Sequence, residues 1–496
     1  LKFMIAFDYE HYLTIQKREI LKRIKLFDNK LYLEFGGKLI EDNHAARVLP
    51  GFHPSGKLEI FSSLKEQIEV IIVVNTNDIV ANKIGSDNNI SYQGEVERLI
   101  DEFRTKDIAV CGVVFSFFSE SIVTNAFIKK LARNNIKTYK HYVIEDYPHN
   151  LEKIFSEDGL GRNEYVETTR PLVVVTAPGS GSGKLATCLS QLYHDNKNGI
   201  RAGYAKYETF PIWNLPLNHP LNLAYEAATV DLGDFNVIDP YYLDKFNVKA
   251  TNYNRDVDAF PVLKAIFEKM YGETPYESPT MMGVNMVGFA LGDEEAITAA
   301  CKEEVIRRFY SAQKNLFLDK YTASSLDKIR MIMNKLGIVE TDRKCVLPAL
   351  KKADETHVPC MALVLNDGKI ITAKTSKLLS PAAALFLNSV KYLANINDEI
   401  PLISPNLIEP IEALKKEISA INDSVLNLND TLISLAIQAP MNPLSDLALK
   451  QIEKLKGAQA HSSVLLDKRD RQVLKQLGIN VTEESVPASN KLYLRS

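Results

Sequence analysis

Short apolar runs alternate with helical patterns through the first 150 residues. The runs that predict strands are KLYLEFGG, IEVIIVVNTND, IAVCGVVFSFF and IKTYKHYVIEDYP, and polar-apolar segments such as QGEVERLIDEFRTKD lie between them. From Arg170 the pattern resumes with PLVVVTAPG, a helix, RAGYAKYETFP and FNVIDP. Strands that alternate with helices predict βαβ units on a parallel sheet. The second series is either a second α/β unit or a continuation of the first sheet.

The pattern changes after about Lys344. CMALVLNDGKIITAKTS predicts two strands around an Asn-Asp-Gly turn, and HSSVLL, KRDRQVLKQL and INV predict a strand, a helix and a strand in the tail. We therefore expect an α/β protein with parallel or mixed sheets flanked by helices, and a separate C-terminal α+β domain with long packed helices. The expected domains are an N-terminal α/β domain at 1–165, an α/β region with a helical segment at 166–340, and a C-terminal domain at 341–496.

Apolar residues in the C-terminal part repeat at alternating steps of three and four, as in a helix that packs against other helices. The pattern leaves two interpretations open, an internal layer of helices or an interface of a homo-oligomer. The polar residues Asn422, Asn427 and Asn429 argue against an independent coiled coil. The apolar positions are Ile411, Leu414, Ile418, Ile421, Val425, Leu428, Leu432 and Leu435.

The composition is that of a globular chain and excludes several classes of function. The 496 residues are 46% hydrophobic and 24% charged, with a formal net charge of -3. This length allows two to four domains with full cores. Because the chain has no long basic block, we expect no nucleic-acid partner. The apolar run IAVCGVVFSFF is too short to span a bilayer, so we expect no membrane partner.

The cysteines predict neither disulfides nor a zinc site. They are widely spaced, and no CxxC or CxxH pair occurs. The start of the sequence has no secretory pattern. These features together predict a cytoplasmic protein with reduced thiols. The five cysteines are Cys111, Cys188, Cys301, Cys345 and Cys360.

The segment VVVTAPGSGSGKLATCLSQL, at 173–192, predicts a strand, a glycine-rich loop and a helix. Glycines allow successive backbone N–H groups to turn inward around an anion, and the helix N-terminus adds a partial positive charge. A lysine supplies a full charge. We therefore predict that this loop binds a phosphate group. The predicted binding residues are Gly179, Ser180, Gly181, Ser182, Gly183 and Lys184.

The loop departs from the P-loop pattern G-x-x-x-x-G-K-[ST] at two positions, since Pro178 replaces the first glycine and Leu185 the last hydroxyl. Thr187 cannot replace that hydroxyl, because two residues along a helix turn by about 200°. Any Mg²⁺ must therefore be held by ligand phosphates and by carboxylates from elsewhere. A dinucleotide pattern read from Gly181 ends in Ala186 and is weak evidence. The alternative is a turn that only joins a strand to a helix.

Polar residues after two other strands are further candidates. The strand that begins at Ala202 carries Lys206 and Glu208 to the carboxyl edge of the sheet, beside the loop if the two strands are neighbours. Asn75 follows the strand VIIVV at the same edge. A glycine-lysine loop, a helix and a strand ending in lysine are similar to the dethiobiotin synthetase branch of P-loop enzymes. That similarity implies that Lys206 neutralises phosphate.

Three residues are candidate catalytic groups. Asp239 ends the apolar run FNVIDP in the manner of a Walker B carboxylate, and Arg255 and Asp256 lie in NYNRDV. A carboxylate at either position would recruit a metal ion or act as a base. The NYNRDV segment is equally consistent with a helix cap.

Seven long segments together resemble one bacterial family of unknown function, common in Firmicutes and Actinobacteria, whose members are sometimes labelled ATP-dependent peptidases. The resemblance covers nearly the whole chain. It implies a cytoplasmic protein of α/β layers with its own C-terminal domain, and it implies that Leu185 is a family feature, since the family loop also contains GSGKL. The segments are LYLEFGGKL, HAARVLPGF, NEYVETTRPLVVVTAPGSGSGKLATCLSQLYH, GYAKYETFPIWNLPLNHPLNLAYEAAT, TNYNRDV, SPTMMGVNMVGF and GAQAHSSVLL.

The sequence thus predicts a nucleotide- or phosphate-binding enzyme that acts on a small polar metabolite, with ATP or another phosphorylated ligand and with Mg²⁺. No zinc is expected. The alternative is a non-catalytic protein that binds a phosphorylated ligand or assembles into oligomers. A peptidase would require proteolysis that does not depend on Lys184.

Overall fold

The computed structural model describes residues 6–37, 39–40, 42–85, 90–318, 322–418 and 425–488. The chain forms two compact units, Leu1–Cys301 and Lys302–Ser496. Each unit contains its own sheet.

Strands and helices alternate in the first unit, as the sequence predicts for an α/β protein. The strands are β1 Leu31–Phe35, β2 Ile68–Asn75, β3 Ala109–Ser116, β4 Thr138–Lys140, β5 Leu172–Thr176, β6 Gly203–Tyr207, β7 Asn236–Ile238, β8 Thr251–Tyr253 and β9 Gly283–Val284. The helices are α1 Tyr9–Ile24, α2 Asn43–Val48, α3 Gly56–Ser62, α4 Thr76–Val80, α5 Tyr92–Thr105, α6 Ile122–Arg133, α7 Leu151–Ile154, α8 Lys184–Lys197, α9 Pro220–Ala228, α10 Pro240–Phe246, α11 Asn254–Tyr271, α12 Pro279–Met282 and α13 Glu294–Phe317, which continues into the second unit.

Seven strands form one sheet in the order β4-β3-β2-β5-β1-β6-β9, and every pair in it is parallel. β5 lies between β2 and β1, and Glu34 of β1 is in register with both Val175 of β5 and Lys206 of β6. β7 and β8 form a separate antiparallel pair. Strands before and after the expected boundary at 165–166 belong to the same seven-stranded sheet, so this boundary does not divide two sheets.

The strands of this sheet are apolar because both faces are covered. All five residues of β5 are buried, as are those of β1, including Glu34. Buried strands on both faces are typical of parallel sheets. The chain leaves β1 toward β2 and leaves β6 toward β9, so the carboxyl edge between β1 and β6 is a topological switch point, where open α/β sheets bind ligands.

The second unit has a four-stranded mixed sheet in the order β11-β10-β12-β13. The predicted hairpin is confirmed, since β10 and β11 are antiparallel around Asn366–Gly368. β12 and β13 are parallel. The strands are β10 Cys360–Val364, β11 Ile370–Lys374, β12 Gln459–Ser462 and β13 Asn480–Glu483. The helices are α14 Ala323–Leu336, α15 Val346–Thr356, α16 Pro381–Leu393, α17 Pro405–Ile418, α18 Leu428–Gln438, α19 Pro443–Leu449 and α20 Lys468–Gln476.

The expectation of one helical seam from Ile411 to Leu435 is wrong. α17 ends at Ile418, α18 begins at Leu428, and Ile421 lies outside the described residues. Asn427 and Asp430 form a capping box that starts α18, with each side chain bonded to the other's backbone N–H. A capping box fixes a helix start, and the polar residues that weakened the heptad pattern therefore divide it into two helices.

None of the helices in the described part of the chain is long and apolar enough to cross a membrane.

Candidate functional site

The predicted phosphate loop joins β5 to α8 at the carboxyl edge of the sheet. Gly181 and Gly183 have φ angles of 70° and 86°, in the left-handed region that favours glycine. A Cβ on Gly183 would stand 3.0 Å from the Cβ of Ser116. Gly183 is also the N-cap residue of α8, so the helix starts directly from the loop.

Side chains of β2 and β3 hold the carbonyl groups of this loop. Asn75 Nδ2 donates to the Gly181 carbonyl at 3.2 Å, and Ser116 Oγ donates to the Ser182 carbonyl at 2.5 Å. Among the described residues, the backbone N–H groups of Gly181 and of 183–186 donate no hydrogen bond. The loop therefore presents donors without acceptors, which is the arrangement of an anion-binding helix N-terminus.

Lys184 lies at the start of α8 and is partly buried. Its Nζ is 3.4 Å from Ser182 Oγ, and it forms no ion pair with any residue that the structure describes. Burial lowers the pKa of Lys184, while Glu34 raises it and Lys206 lowers it further. A partly desolvated ammonium with no carboxylate partner is well suited to binding an anion.

Thr187 does not face the loop. Its side chain is buried, and Oγ1 lies 3.4 Å from Nδ1 of His141. Burial lowers the pKa of His141 to about 4. The hydroxyl of Thr187 is thus turned away from the loop and cannot replace the one that Leu185 lacks.

A second polar cluster surrounds Lys206 at the end of β6. Lys206 Nζ lies 2.6 Å from Asp256 Oδ2 and 3.0 Å from Glu208 Oε1, and it also contacts the hydroxyl of Tyr253. The Tyr253 hydroxyl in turn donates to Glu208 Oε1 at 3.2 Å. One lysine therefore faces two carboxylates and a phenol, all largely buried.

The two carboxylates change the proton affinities of this cluster. Burial lowers the pKa of Lys206, but Asp256 and Glu208 outweigh it, so that pKa lies well above the usual value for lysine. Burial raises the pKa of Glu208 to about 7, Lys206 lowers it and Asp256 raises it. Glu208 is thus a carboxyl group that titrates near neutral pH.

Arg255 lies in the first turn of α11 beside this cluster, and its Nη2 donates to Asp234 Oδ2 at 2.9 Å. Burial lowers the pKa of Arg255, but Asp234, Tyr253, Asp256 and Tyr225 together outweigh burial, so the pKa of Arg255 is raised. Both Arg255 and Lys206 lower the pKa of Lys184. Three cationic side chains from two helices and a strand therefore act on the same region.

The structure gives Asp239 a different environment from the one expected of a catalytic group. It is fully buried, and Oδ1 accepts the backbone N–H groups of Tyr241 and Tyr242 at the start of α10. Oδ2 accepts the hydroxyl of Thr280 at 2.6 Å. Asp239 is thus a helix N-cap with both oxygens occupied, and our proposal below does not include it.

The residues that the structure describes contain no group of three His, Cys, Asp or Glu side chains placed to hold a metal ion. Leu185 supplies no hydroxyl, and the carboxylate of Asp239 is occupied. The side chains around the loop therefore offer no ready-made magnesium site, and no step below involves a metal.

The structure brings the loop and the Lys206 cluster to one edge of the sheet, but not as neighbouring strands, because β1 lies between β5 and β6. Besides Ser116 and Asp234, sequence reasoning missed three residues of this region. Glu34 projects from β1 and accepts the Tyr204 hydroxyl at 2.7 Å. Tyr225 stacks on Phe210. Tyr253 joins Lys206 and Glu208. Glu34 alone left a signal, as a charged residue in the apolar run LYLEF.

The chain matches two family models. Residues 5–337 match the domain of unknown function DUF1846, N-terminal, and residues 341–493 match the domain of unknown function DUF1846, C-terminal. The models meet close to the expected boundary at 340.

Similar proteins occur in streptococci. A UPF0371 protein of Streptococcus equi subsp. zooepidemicus (strain H70) is 50% identical over 489 residues, which cover 99% of this chain and 98% of that protein. A UPF0371 protein of Streptococcus pyogenes serotype M28 (strain MGAS6180) is 48% identical over 489 residues, 99% of each chain. Neither name states an activity.

Proposed function

We propose a function for this chain from its own geometry, because the chain belongs to the bacterial DUF1846 family, whose function is unknown. The proposed function is that of an enzyme that binds a small phosphorylated ligand, such as ATP, at the loop 179–184. Lys184 neutralises the phosphate charge, and the cluster around Lys206 lies where the ligand reacts.

The observation that carries this proposal is that backbone donors without acceptors lie beside a lysine that has no carboxylate partner among the described residues. Among the described residues, the N–H groups of Gly181 and of 183–186 have no acceptor, and the Nζ of Lys184 has no ion pair and donates only to the Ser182 hydroxyl, at 3.4 Å. Donors this close together carry partial positive charge that favours a multiply charged oxyanion.

Two features support turnover rather than binding alone. Lys206 and Arg255 lie close enough to lower the pKa of Lys184, so two further cationic groups, each paired with carboxylates, stand near the loop where phosphoryl transfer would use them. The Lys206 cluster also contains more carboxylate than Lys206 can neutralise. A structural ion pair needs only one carboxylate for each lysine.

The alternative function is non-catalytic binding of a phosphorylated ligand. It is favoured by the missing hydroxyl at Leu185, since P-loop enzymes hold Mg²⁺ with that group. Turnover distinguishes the two functions. A ligand raises the stability of either protein, but only an enzyme releases a product.

A thermal-shift screen of nucleotides, sugar phosphates and amino-acid phosphates, with and without Mg²⁺, tests the proposal. A ligand at 100 times its Kd stabilises the folded state by about 2.7 kcal/mol. We expect Lys184→Ala to weaken binding on the order of 10- to 100-fold, the loss of one hydrogen bond to a charged group. The matched control is Lys197→Ala, at the other end of α8, where the lysine pairs with Glu157 at the surface. Equal stabilisation of wild type and Lys184→Ala by every phosphorylated ligand contradicts the proposal.

A further inference from the structure

We propose that Glu208 is the general base of this site, and that it passes the proton of the attacking hydroxyl group to a water molecule held in a small cavity beside it. This inference rests on the proposed function, because the proton comes from a group that reacts with a phosphorylated ligand.

The two oxygens of Glu208 face different surroundings. Oε1 accepts the Tyr253 hydroxyl and lies 3.0 Å from Lys206 Nζ, on the side of the polar cluster. Oε2 accepts no hydrogen bond from the residues that the structure describes. It lies against Gly283, where an added Cβ would stand 3.0 Å away. Glu208 thus separates the cluster from the space beside Gly283.

That space is a cavity of about 10 Å³ with a mixed polar and apolar lining, which includes Glu208, Trp213, Asn252, Thr280 and Gly283. A single water molecule needs about 10–15 Å³ by this measure and two to four polar partners. The cavity therefore matches one water molecule. Glu208 Oε2 and Thr280 supply polar atoms for it.

Titratable groups from the neighbouring strands and helices face Glu208. They are the charged Lys206 of β6 and Asp256 of α11, and the phenols Tyr225 of α9 and Tyr253 of β8. Burial is the largest cause of the shift, and together with Lys206, Asp256 and Tyr253 it places the pKa of Glu208 at about 7. A general base is most effective when its pKa lies near the working pH.

The proposed step balances without a further reagent. The hydroxyl oxygen of an acceptor, which includes water, attacks phosphorus and forms the new O–P bond. The bond from phosphorus to the leaving oxygen breaks, and its electron pair leaves with that oxygen. The hydroxyl proton passes to Glu208, which then releases it through the cavity water to bulk solvent.

The first test measures phosphate release from ATP with Mg²⁺. We expect Glu208→Gln to lower kcat on the order of 100-fold or more, while ATP still raises the unfolding temperature. The wild-type rate should rise with pH through about 7, and the variant should lose this dependence. The matched control is Glu277→Gln, since Glu277 pairs with Lys245 at the surface. A variant that keeps the wild-type rate and pH profile overturns the proposal, even if Lys184→Ala abolishes turnover.

The second test needs no ligand, so it stands even if the proposed function fails. Infrared spectra at pH 6 should contain a protonated carboxyl band that disappears by pH 8 and is absent from Glu208→Gln. In D₂O, Gly283→Ala should slow hydrogen-deuterium exchange of this band, because its methyl group takes the place of the water. The φ of Gly283 is -74°, which alanine tolerates. A band that is the same in wild type and Glu208→Gln contradicts the assignment.

Discussion

A lysine, carboxylates and tyrosines lie together at both edges of the seven-stranded sheet, but the two groups are assembled differently. At the amino edge, Lys30 lies 3.0 Å from Asp195 Oδ1, and the hydroxyls of Tyr32 and Tyr165 donate to Asp195 Oδ2 and Oδ1 at 2.8 and 2.6 Å. At the carboxyl edge, Lys206 faces the two carboxylates of Glu208 and Asp256.

The difference between the groups lies in how many acceptors remain unpaired. Both oxygens of Asp195 are occupied, so this buried group is electrically balanced and holds β1 to the end of α8. At the carboxyl edge one oxygen of Glu208 has no donor within the described residues, and its pKa is raised. A saturated buried network stabilises the fold, whereas an unsaturated one with a shifted pKa is typical of a functional site.

The largest effect is expected at the amino edge. Asp195→Ala leaves the Lys30 ammonium buried without its partner, which costs about 3–5 kcal/mol of unfolding free energy. Urea denaturation measures this loss. The control is Lys65→Ala, because the exposed pair of Lys65 and Asp107 contributes at most about 1 kcal/mol. If the two variants lose the same stability, the buried network has no special role in the fold.

At the carboxyl edge, removing the charge of Glu208 should increase the unfolding free energy at alkaline pH, by less than Asp195→Ala lowers it. Folding raises the pKa of Glu208 from 4.5 to about 7, so the folded state binds its proton more tightly than the unfolded state. The protonated form of Glu208 therefore stabilises the fold at low pH. This stabilisation, up to ~3 kcal/mol of unfolding free energy, is lost as pH rises from 4.5 through about 7. Glu208→Gln should be more stable than wild type at pH 8 and similar to it at pH 5, measured by urea denaturation. A variant that is less stable at pH 8 contradicts this sign.

The smallest effect is expected in the loop itself. Gly183→Ala and Gly199→Ala both place a Cβ on a residue of positive φ at an end of α8, at a cost of about 1–2 kcal/mol each. Only Gly183 lies in the predicted phosphate site, against Ser116. We expect both variants to unfold at slightly lower temperature and only Gly183→Ala to lose stabilisation by phosphorylated ligands. If phosphorylated ligands stabilise both variants equally, the loop does not take part in binding them.

Hydrophobic periodicity was enough to predict the fold class, since buried strands such as β5 and the hairpin of β10 and β11 leave local signals. It could not predict that β5 lies between β2 and β1, because strand order depends on packing between distant segments. The same limit explains why the sequence left a second sheet open as an alternative.

The candidate site was predictable where its chemistry is local. The glycines and Lys184 follow one another in the chain, and Lys206 and Glu208 end one strand. Tyr225 and Tyr253 come from other elements, and an aromatic residue carries no sequence signal of a polar contact. The position of Asp239 was signalled, because Asp followed by Pro240 is typical of an N-cap and the first helical residue.

A crystal structure of the full chain with ATP tests the central claim most directly. We expect a phosphate group within hydrogen-bond distance of the N–H groups of 183–186 and of Lys184 Nζ, at the carboxyl edge of the sheet where Lys206 also lies. A structure in which Lys184 pairs with Glu34 and the loop N–H groups bind protein acceptors, with ATP elsewhere or absent, would contradict the account.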